Sequence, residues 1–524
     1  MTIAYGARQP CDEHAAGRRD APIPCPERDK PWVLATAILG SSLAFLEGSV
    51  VNLALPAIQS DFETTSTELQ WVINAYLLVL GSFMLIGGSL GDRYGLRRVF
   101  LVGTAVFGAG TLAAALAPSM SLLIAARILQ GIGGALLVPS SLALVGSHFP
   151  KEERGRAIGT WAGASALTTA AGPVLGGWLV DRWGWPSVFF LVVPVAILTI
   201  IVCRWRVPVS PVKRGNRLDY AGGLLLVASL ALLIYALVSS QSLLLKVAAV
   251  VLSLVLGAAF LLHEKRFKPP MLPLRLFSSG AFSGANLMTL LLYSALTGAL
   301  YFLPFNLIQV QGYSAAQAGA AFLPFTLILG FGSTLAGDMI RKFDPRMILT
   351  VGPVVAAAGF ITLAIPGENA SYVSGFLPGI LIIGVGMTLS VAPLTTVVMG
   401  SVSNSEAGIA SGVNNTAARI AGVLAVAVLT AVAVWQFTDA IELRLQDRHV
   451  PRELTDLLTS RASELADLKA PEGTSERLAA TASDAVAFAY VRTFRLLVVI
   501  CGLLAAVSGA IAWFSLAQYD RKDE

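Results

Sequence analysis

The side chains best placed to do chemistry are three charges inside apolar runs: Glu47, Arg127 and Arg419. If those runs lie in lipid, each charge costs at least about 2.5–3.5 kcal/mol to insert, so a function is the default expectation for it. Glu47 lies about nine residues from the outer end of its run and Arg127 about seven from the outer end of its own, which puts both roughly 10–13 Å deep on antiparallel helices. The two can face each other across one cavity. Burial disfavours the charged carboxylate while a nearby guanidinium favours it, and the balance can leave Glu47 titrating near neutrality, as a proton carrier must. The bland alternative is a permanent ion pair that only fixes packing. Arg419 follows Asn414 and Asn415 by about one turn and can line the same cavity from the second half. Asn52 and the aromatic and amide side chains Tyr293, Tyr301, Asn306 and Gln309 are the other candidates for a wide, adaptable substrate site.

A second constellation sits in a short loop, GSLGDRYGLRR, from Gly88 to Arg98. Gly91 and Gly95 permit a tight reversal and close helix approach. Asp92 can pair with a helix end or with Arg93 or Arg97, so the set Gly88, Asp92, Arg93, Gly95 and Arg97 can latch one arrangement of two helix bundles. Signalling topology is the plainer use of its arginines. The run AGPVLGGW puts Gly172, Pro173 and Gly176 in one helix, where a kink beside a small-residue face can act as a hinge or simply pack.

Other chemistries find little support. The four cysteines, Cys11, Cys25, Cys203 and Cys501, and the four histidines, His14, His148, His263 and His449, are scattered without metal-ligand or disulfide spacing. GIGGAL at Gly131 faintly resembles a nucleotide fingerprint but lies within an apolar run, where small residues mean close helix packing. There is no GxxxxGK phosphate loop, so ATP is not the direct energy source. The net charge of +5 comes from short basic clusters between apolar spans, with no basic face carrying aromatics, so nucleic acid is not a partner. No cofactor and no metal are expected, and no catalytic residue.

The elements that must position these residues are membrane helices. Of 524 residues 55% are apolar and 13% charged, against about 25% charged in soluble chains. Fourteen apolar runs between residues 32 and 515 are each long enough for a bilayer core of about 30 Å. The expected fold is therefore all-α and polytopic, with the lipid bilayer as solvent. Eighteen lysines and arginines fall in the alternate loops that share a side with the N-terminus and two on the other side, which places both termini in the cytoplasm. The tails are residues 1–31 and 516–524. The long outer segment, 436–490, mixes both charge signs and is expected to form a solvated helical hairpin over the outer face.

A degraded copy of the loop, GDMIRKFDPR at Gly337, follows the tenth span. Pro139 closes the fourth span as Pro393 closes the twelfth, and GRAIG at Gly155 answers GIASG at Gly408. Two six-span halves joined directly would put the copy after span eight, so two extra spans separate them. The expected organisation is a six-helix bundle over 32–207, an inserted two-helix segment over 208–280, and a second six-helix bundle over 281–515. Parallel repeats of this kind build transporters with the cavity at the interface.

With these residues in hand the chain resembles the fourteen-span drug:proton antiporter family of the major facilitator superfamily. FLEGSVVNLALP at Phe45, GSLGDRYGLRR at Gly88, RILQGIGGALLVP at Arg127 and GPVLGGW at Gly172 match family patterns in order. LDYAGG at Leu218, PPMLPLRLF at Pro269, LPFNLIQVQGYS at Leu303 and SGVNNTAARIAG at Ser411 also resemble that family, and the similarity runs over residues 32–515. It implies a major facilitator fold, protons and a small molecule as partners, proton coupling through Glu47, proton transfer through Arg127 and a conformational role for Asp92. The family usually carries aspartate where Glu47 stands, threonine where Ser49 stands and a basic residue where Leu96 stands. The resulting expectation is a proton-driven exporter of amphipathic or lipophilic compounds in the cell membrane, working as a monomer. A transporter of one specific metabolite, or a receptor or scaffold that moves nothing, is the alternative in the same fold.

Overall fold

The computed structural model describes residues 28–517 apart from 65, 210–218, 239–242, 268–269, 271, 404–405, 463–464, 466–467, 469 and 472–473. Most of both tails lies outside the described residues, with Cys11, Cys25 and His14, as do Lys213, Arg214, Arg217 and Lys268. The side chains of Asn52 and Pro173 are also outside the description.

Every described element is helical. The order is α1 (Lys30–Phe62), α2 (Ser66–Tyr94), α3 (Leu96–Ala115), α4 (Met120–His148), α5 (Lys151–Trp183), α6 (Pro186–Arg206), α7 (Tyr220–Val238), α8 (Leu243–Arg266), α9 (Gly280–Phe305), α10 (Ala315–Ala320), α11 (Leu323–Met339), α12 (Pro345–Thr362), α13 (Leu377–Gly400), α14 (Ala407–Asp447), α15 (Arg452–Ser460) and α16 (Glu476–Ser515). Among the described residues, twelve helices are long and apolar enough to cross a membrane, and Ala221–Ala236 of α7 forms a shorter apolar helix.

Two bundles are separated by a hairpin. α1–α6 pack on one another, and α9, α11–α14 and α16 form a second group. The bundles meet where α5 runs along α11 and α2 along α14. These are the fifth helix of one half on the second of the other, taken both ways, as a two-fold repeat requires. The hairpin α7–α8 is tied internally by Ser229 and Ser253, each hydroxyl donating to the other's backbone carbonyl at 2.8 and 2.7 Å. α7 leans on α2 and α14, with Trp71 stacked on Tyr235 at 6.0 Å. α8 turns leucines outward, Leu244 at 78% exposure, as a lipid-facing helix does.

The loop starts and ends of these helices define two faces. The described ends, Asp29 and Ser515, lie on one of them, here the terminal face: Lys30 pairs with Glu153 at 2.7 Å, and Arg346 donates to the carbonyl of Trp513 at 2.7 Å.

Two expectations are corrected. Pro139 and Pro393 do not close their helices, since α4 continues to His148 and α13 to Gly400. Pro139 removes only the donor for the Ala135 carbonyl, which lies against Gly87 of α2, and a well-packed membrane helix tolerates that loss. The outer segment 436–490 is not a separate solvated hairpin. α14 and α16 run unbroken for 41 and 40 residues, about twice the roughly 20 a bilayer needs. Their extensions and α15 bury Ile441, Leu445, Leu458 and Ala485 in a core continuous with the second bundle.

Candidate functional site

A buried polar cluster joins α1 to α4. Arg127 Nη1 lies 2.9 Å from Glu47 Oε1, and each side chain is 1% exposed. Gln130, one turn on along α4, donates from Nε2 to Glu47 Oε1 at 3.0 Å and accepts from Arg127 Nη1 at 2.7 Å. It also donates to Thr111 of α3 at 2.8 Å. Arg127 Nε donates to the carbonyl of Val72 at 2.8 Å, and its guanidinium sits 4.4 Å from the centre of the Tyr76 ring. The Tyr76 hydroxyl in turn donates to the carbonyl of Ala44. The guanidinium thus has four partners of different kinds, of which Glu47 is the only ionic one. Close helix contact makes this possible: a Cβ on Gly131 would lie 2.8 Å from Val79, and one on Gly133 would lie 2.3 Å from the backbone nitrogen of Phe107.

Arg419 enters from the second bundle. Its guanidinium lies 6.0 Å from the ring of Phe45 on α1. Phe45 is braced edge-on by Trp161 of α5. Phe45 and Arg419 therefore meet between the bundles, and Tyr76 belongs to the Glu47 cluster on the first bundle's side. Gln130, Tyr76 and Phe45 were not singled out from sequence. A polar residue three positions after Arg127 was a signal for Gln130; nothing local marks the two aromatics.

The other cavity candidates lie elsewhere. Asn414 is buried and donates to Thr289 at 2.7 Å, binding α14 to α9. Asn415 returns its amide to the carbonyl of Ser411 on its own helix. Asn306 is corrected outright: it is 2% exposed and accepts from Gln311, which also holds the carbonyl of Gly367 and the nitrogen of Ala370. It pins the α9 end to the loop after α12. Tyr301 is exposed and packs on Phe302 and Phe305; Gln309 is exposed in the wider turn at 306–310.

At the terminal face Asp92 crosses between bundles. Its two oxygens accept the backbone N–H groups of Gly408 at 2.7 Å and Ile409 at 2.8 Å, the first turn of α14, where an anion meets unpaired donors and the positive end of the helix dipole. Contact is backbone to backbone there, since a Cβ on Gly88 would lie 2.1 Å from the carbonyl oxygen of Gly408. Glu406, just before α14, holds Arg275 and accepts from Ser403. Gly95 takes φ +91°, a left-handed turn that glycine adopts freely. Arg93 stacks on its neighbour Tyr94, and Arg97 donates to the carbonyl of Arg204 at the end of α6, within the first bundle. Across the other seam Gly155, Gly159 and Gly163 of α5 face Gly337, Ser333 and Gly330 of α11 at similarly short range. Both seams close the terminal half of the molecule. Toward the opposite face Gly48 and Gly177 meet nothing within 4 Å. Of the residues expected to form a hinge, Gly172 is buried and Gly176 packs on Val50 of α1, and α5 is unbroken through them.

A profile of the Major Facilitator Superfamily matches residues 37–426. The chain belongs to that superfamily. It is a transporter and not an enzyme. This transporter is 30% identical over 502 residues to the tetracenomycin C resistance and export protein of Streptomyces glaucescens, covering 93% of this chain and 92% of that protein. It is 34% identical over 434 residues to the puromycin resistance protein pur8 of Streptomyces alboniger, covering 82% and 86%. Among solved structures it resembles the human organic anion transporter MFSD10, with a TM-score of 0.62 at 16% identity over 91% of this chain and 99% of that one. It also resembles FucP, described in an outward conformation, with a TM-score of 0.56 at 13% identity over 92% and 99%.

Proposed function

We propose that this transporter is a proton-driven antiporter that exports small amphipathic or lipophilic compounds of the drug and antibiotic kind, by alternating access between its two bundles. The observation that carries the reading is the Glu47 cluster. A proton added to Glu47 cancels its charge, yet Arg127 keeps the Val72 carbonyl, the Gln130 amide oxygen and the Tyr76 face, so neither protonation state abandons a buried cation. The relatives named for resistance and export supply the drug class. Fourteen spans follow if α5 and α7 join the twelve, and the excess of eighteen basic residues over two puts the terminal face in the cytoplasm of the cell membrane. The structure is then closed inward, with Asp92 as the latch and Gly172, Pro173 and Gly176 as the hinge.

In this cycle a proton reaches Glu47 from outside, substrate leaves, and the latch opens as the bundles rock. Phe45, Tyr293 and Arg419 present aromatic faces and one positive charge to the substrate. One proton moving down about 100 mV supplies about 2.3 kcal/mol, enough for a roughly 50-fold gradient of a neutral compound. Glu47→Gln keeps the size of the side chain and removes the titratable group. It is expected to abolish gradient-driven dye transport in everted vesicles while substrate binding persists; near-normal active transport by this variant would sink the assignment. In proteoliposomes a bis-cationic dye should be a far poorer substrate than a neutral or monocationic one, because the one deep carboxylate is already matched by Arg127 and Arg419 repels the second charge.

A further inference from the structure

The base of the inserted hairpin holds two carboxyl groups that the cycle above does not use. Asp219 precedes α7 and is 6% exposed; Glu264, in the last turn of α8, is 3% exposed. Three of their bonding positions are accounted for. Asp219 Oδ1 accepts the N–H of Gly222 at 2.8 Å, capping α7, and lies 2.8 Å from His263 Nε2. Glu264 Oε2 accepts the N–H of Leu272 at 3.2 Å. The remaining oxygens, Asp219 Oδ2 and Glu264 Oε1, are buried with no hydrogen-bond partner among the described residues. Both point at Gly222, where an added Cβ would lie 2.2 Å from the first and 3.1 Å from the second, so the two oxygens flank the same small space.

Two carboxylates so placed repel, and a buried oxygen without a donor is costly. A single proton removes both problems at once. We propose that Asp219 and Glu264 form a second proton-binding site: the proton resides on Glu264 Oε1 and is donated to Asp219 Oδ2, leaving one negative charge on the pair beside His263. The geometry disfavours a metal ion, since no group of three His, Cys, Asp or Glu among the described residues is arranged to hold one. Among the described residues the groups facing the pair are few. His263 is the titratable neighbour on α8, whereas Lys265 and Arg266 point outward. α2 presents Trp71 and Gly81 to α7, and Arg275, beyond Leu272, is engaged by Glu406 on the α14 side. Gly222 is required because any Cβ would occupy the space between the acids. The shared proton clamps the start of α7 to the end of α8 and to the following linker, and so holds the hairpin against the α2–α14 seam.

Infrared spectroscopy of the full-length protein in lipid nanodiscs at neutral pH tests this in a Glu47→Gln background, which removes the acid of the α1–α4 cluster. One carboxylic-acid C=O band is expected. It should shift when glutamate side chains carry 13C carboxyl carbons, and it should vanish in both Asp219→Asn and Glu264→Gln, because each variant removes one half of the shared bond. The isotope experiment needs no substitution at the pair and stands even if those variants fold poorly. Absence of an acid band, which would mean two ionised groups balanced by cations, overturns the proposal; so does a band untouched by the label or by either substitution.

Discussion

The two seams that close the terminal face are alike in shape and different in chemistry. In both, glycines of one bundle meet the backbone of the other: Gly88 against Gly408 where α2 meets α14, Gly155 against Gly337 where α5 meets α11. Among the described residues only the first also carries a bundle-crossing acid on a helix end, Asp92 on Gly408 and Ile409. At the corresponding place in the second half, Asp338 follows Gly337 as Asp92 follows Gly91, but it pairs with Arg341 on its own side at 3.5 Å. Across that seam Thr160 meets Thr334 in a weak contact at 3.3 Å. Shape complementarity is thus inherited by both halves of the repeat while the ionic latch is retained by one. The free energy of the closed state should be concentrated at α2–α14, the seam on which the inserted hairpin also rests.

Steric disruption should have the largest effect and should strike both seams equally. Gly88→Leu or Gly159→Leu forces a side chain into a backbone contact; taking about 3 kcal/mol, the upper end of ordinary overpacking costs, the closed population falls roughly a hundredfold. Initial rates of substrate transport in proteoliposomes measure it, and a normal rate in either variant would mean that the seam does not close during the cycle. Asp92→Asn comes next. It keeps the shape but loses the charge at the α14 terminus, worth about 1.5 kcal/mol for a charged hydrogen bond, so turnover should slow roughly tenfold. Substrate affinity, measured separately by equilibrium binding, should barely change; a raised dissociation constant with normal turnover would move Asp92 into the binding site. The smallest effect is expected at Asp338→Asn, where a half-exposed ion pair contributes at most about 1 kcal/mol and transport should change less than about threefold. A loss matching that of Asp92→Asn would show the two seams to be equivalent after all.

What the sequence determined by itself is what depends on short range. Apolar runs broken by charged turns reported the helices, because lipid demands internally bonded backbone and a fixed length; the offset copy GDMIRKFDPR reported the repeat and the extra pair of helices. Glu47 and Arg127 stood out because an isolated charge in an apolar run needs no partner to be conspicuous. The overlong helices α14 and α16 were hidden by polar residues such as Arg444 and Asp484, which pair with each other at 3.3 Å and let the helices continue past the apolar region. Tertiary structure decided everything that depends on how one helix is rotated against another. It gave Asp92 a partner 316 residues away, turned Asn306 and Asn414 from the cavity to helix packing, and set Phe45 and Tyr76 beside two arginines. It also brought Asp219 and Glu264 to one glycine, though in sequence they are only a helix cap and a charge at the end of a span. The periodicity of a helix is written along its own chain, whereas the register between two helices is set by the sum of many small contacts, such as the glycine fits at Gly133 and Gly408, that no single stretch of residues contains.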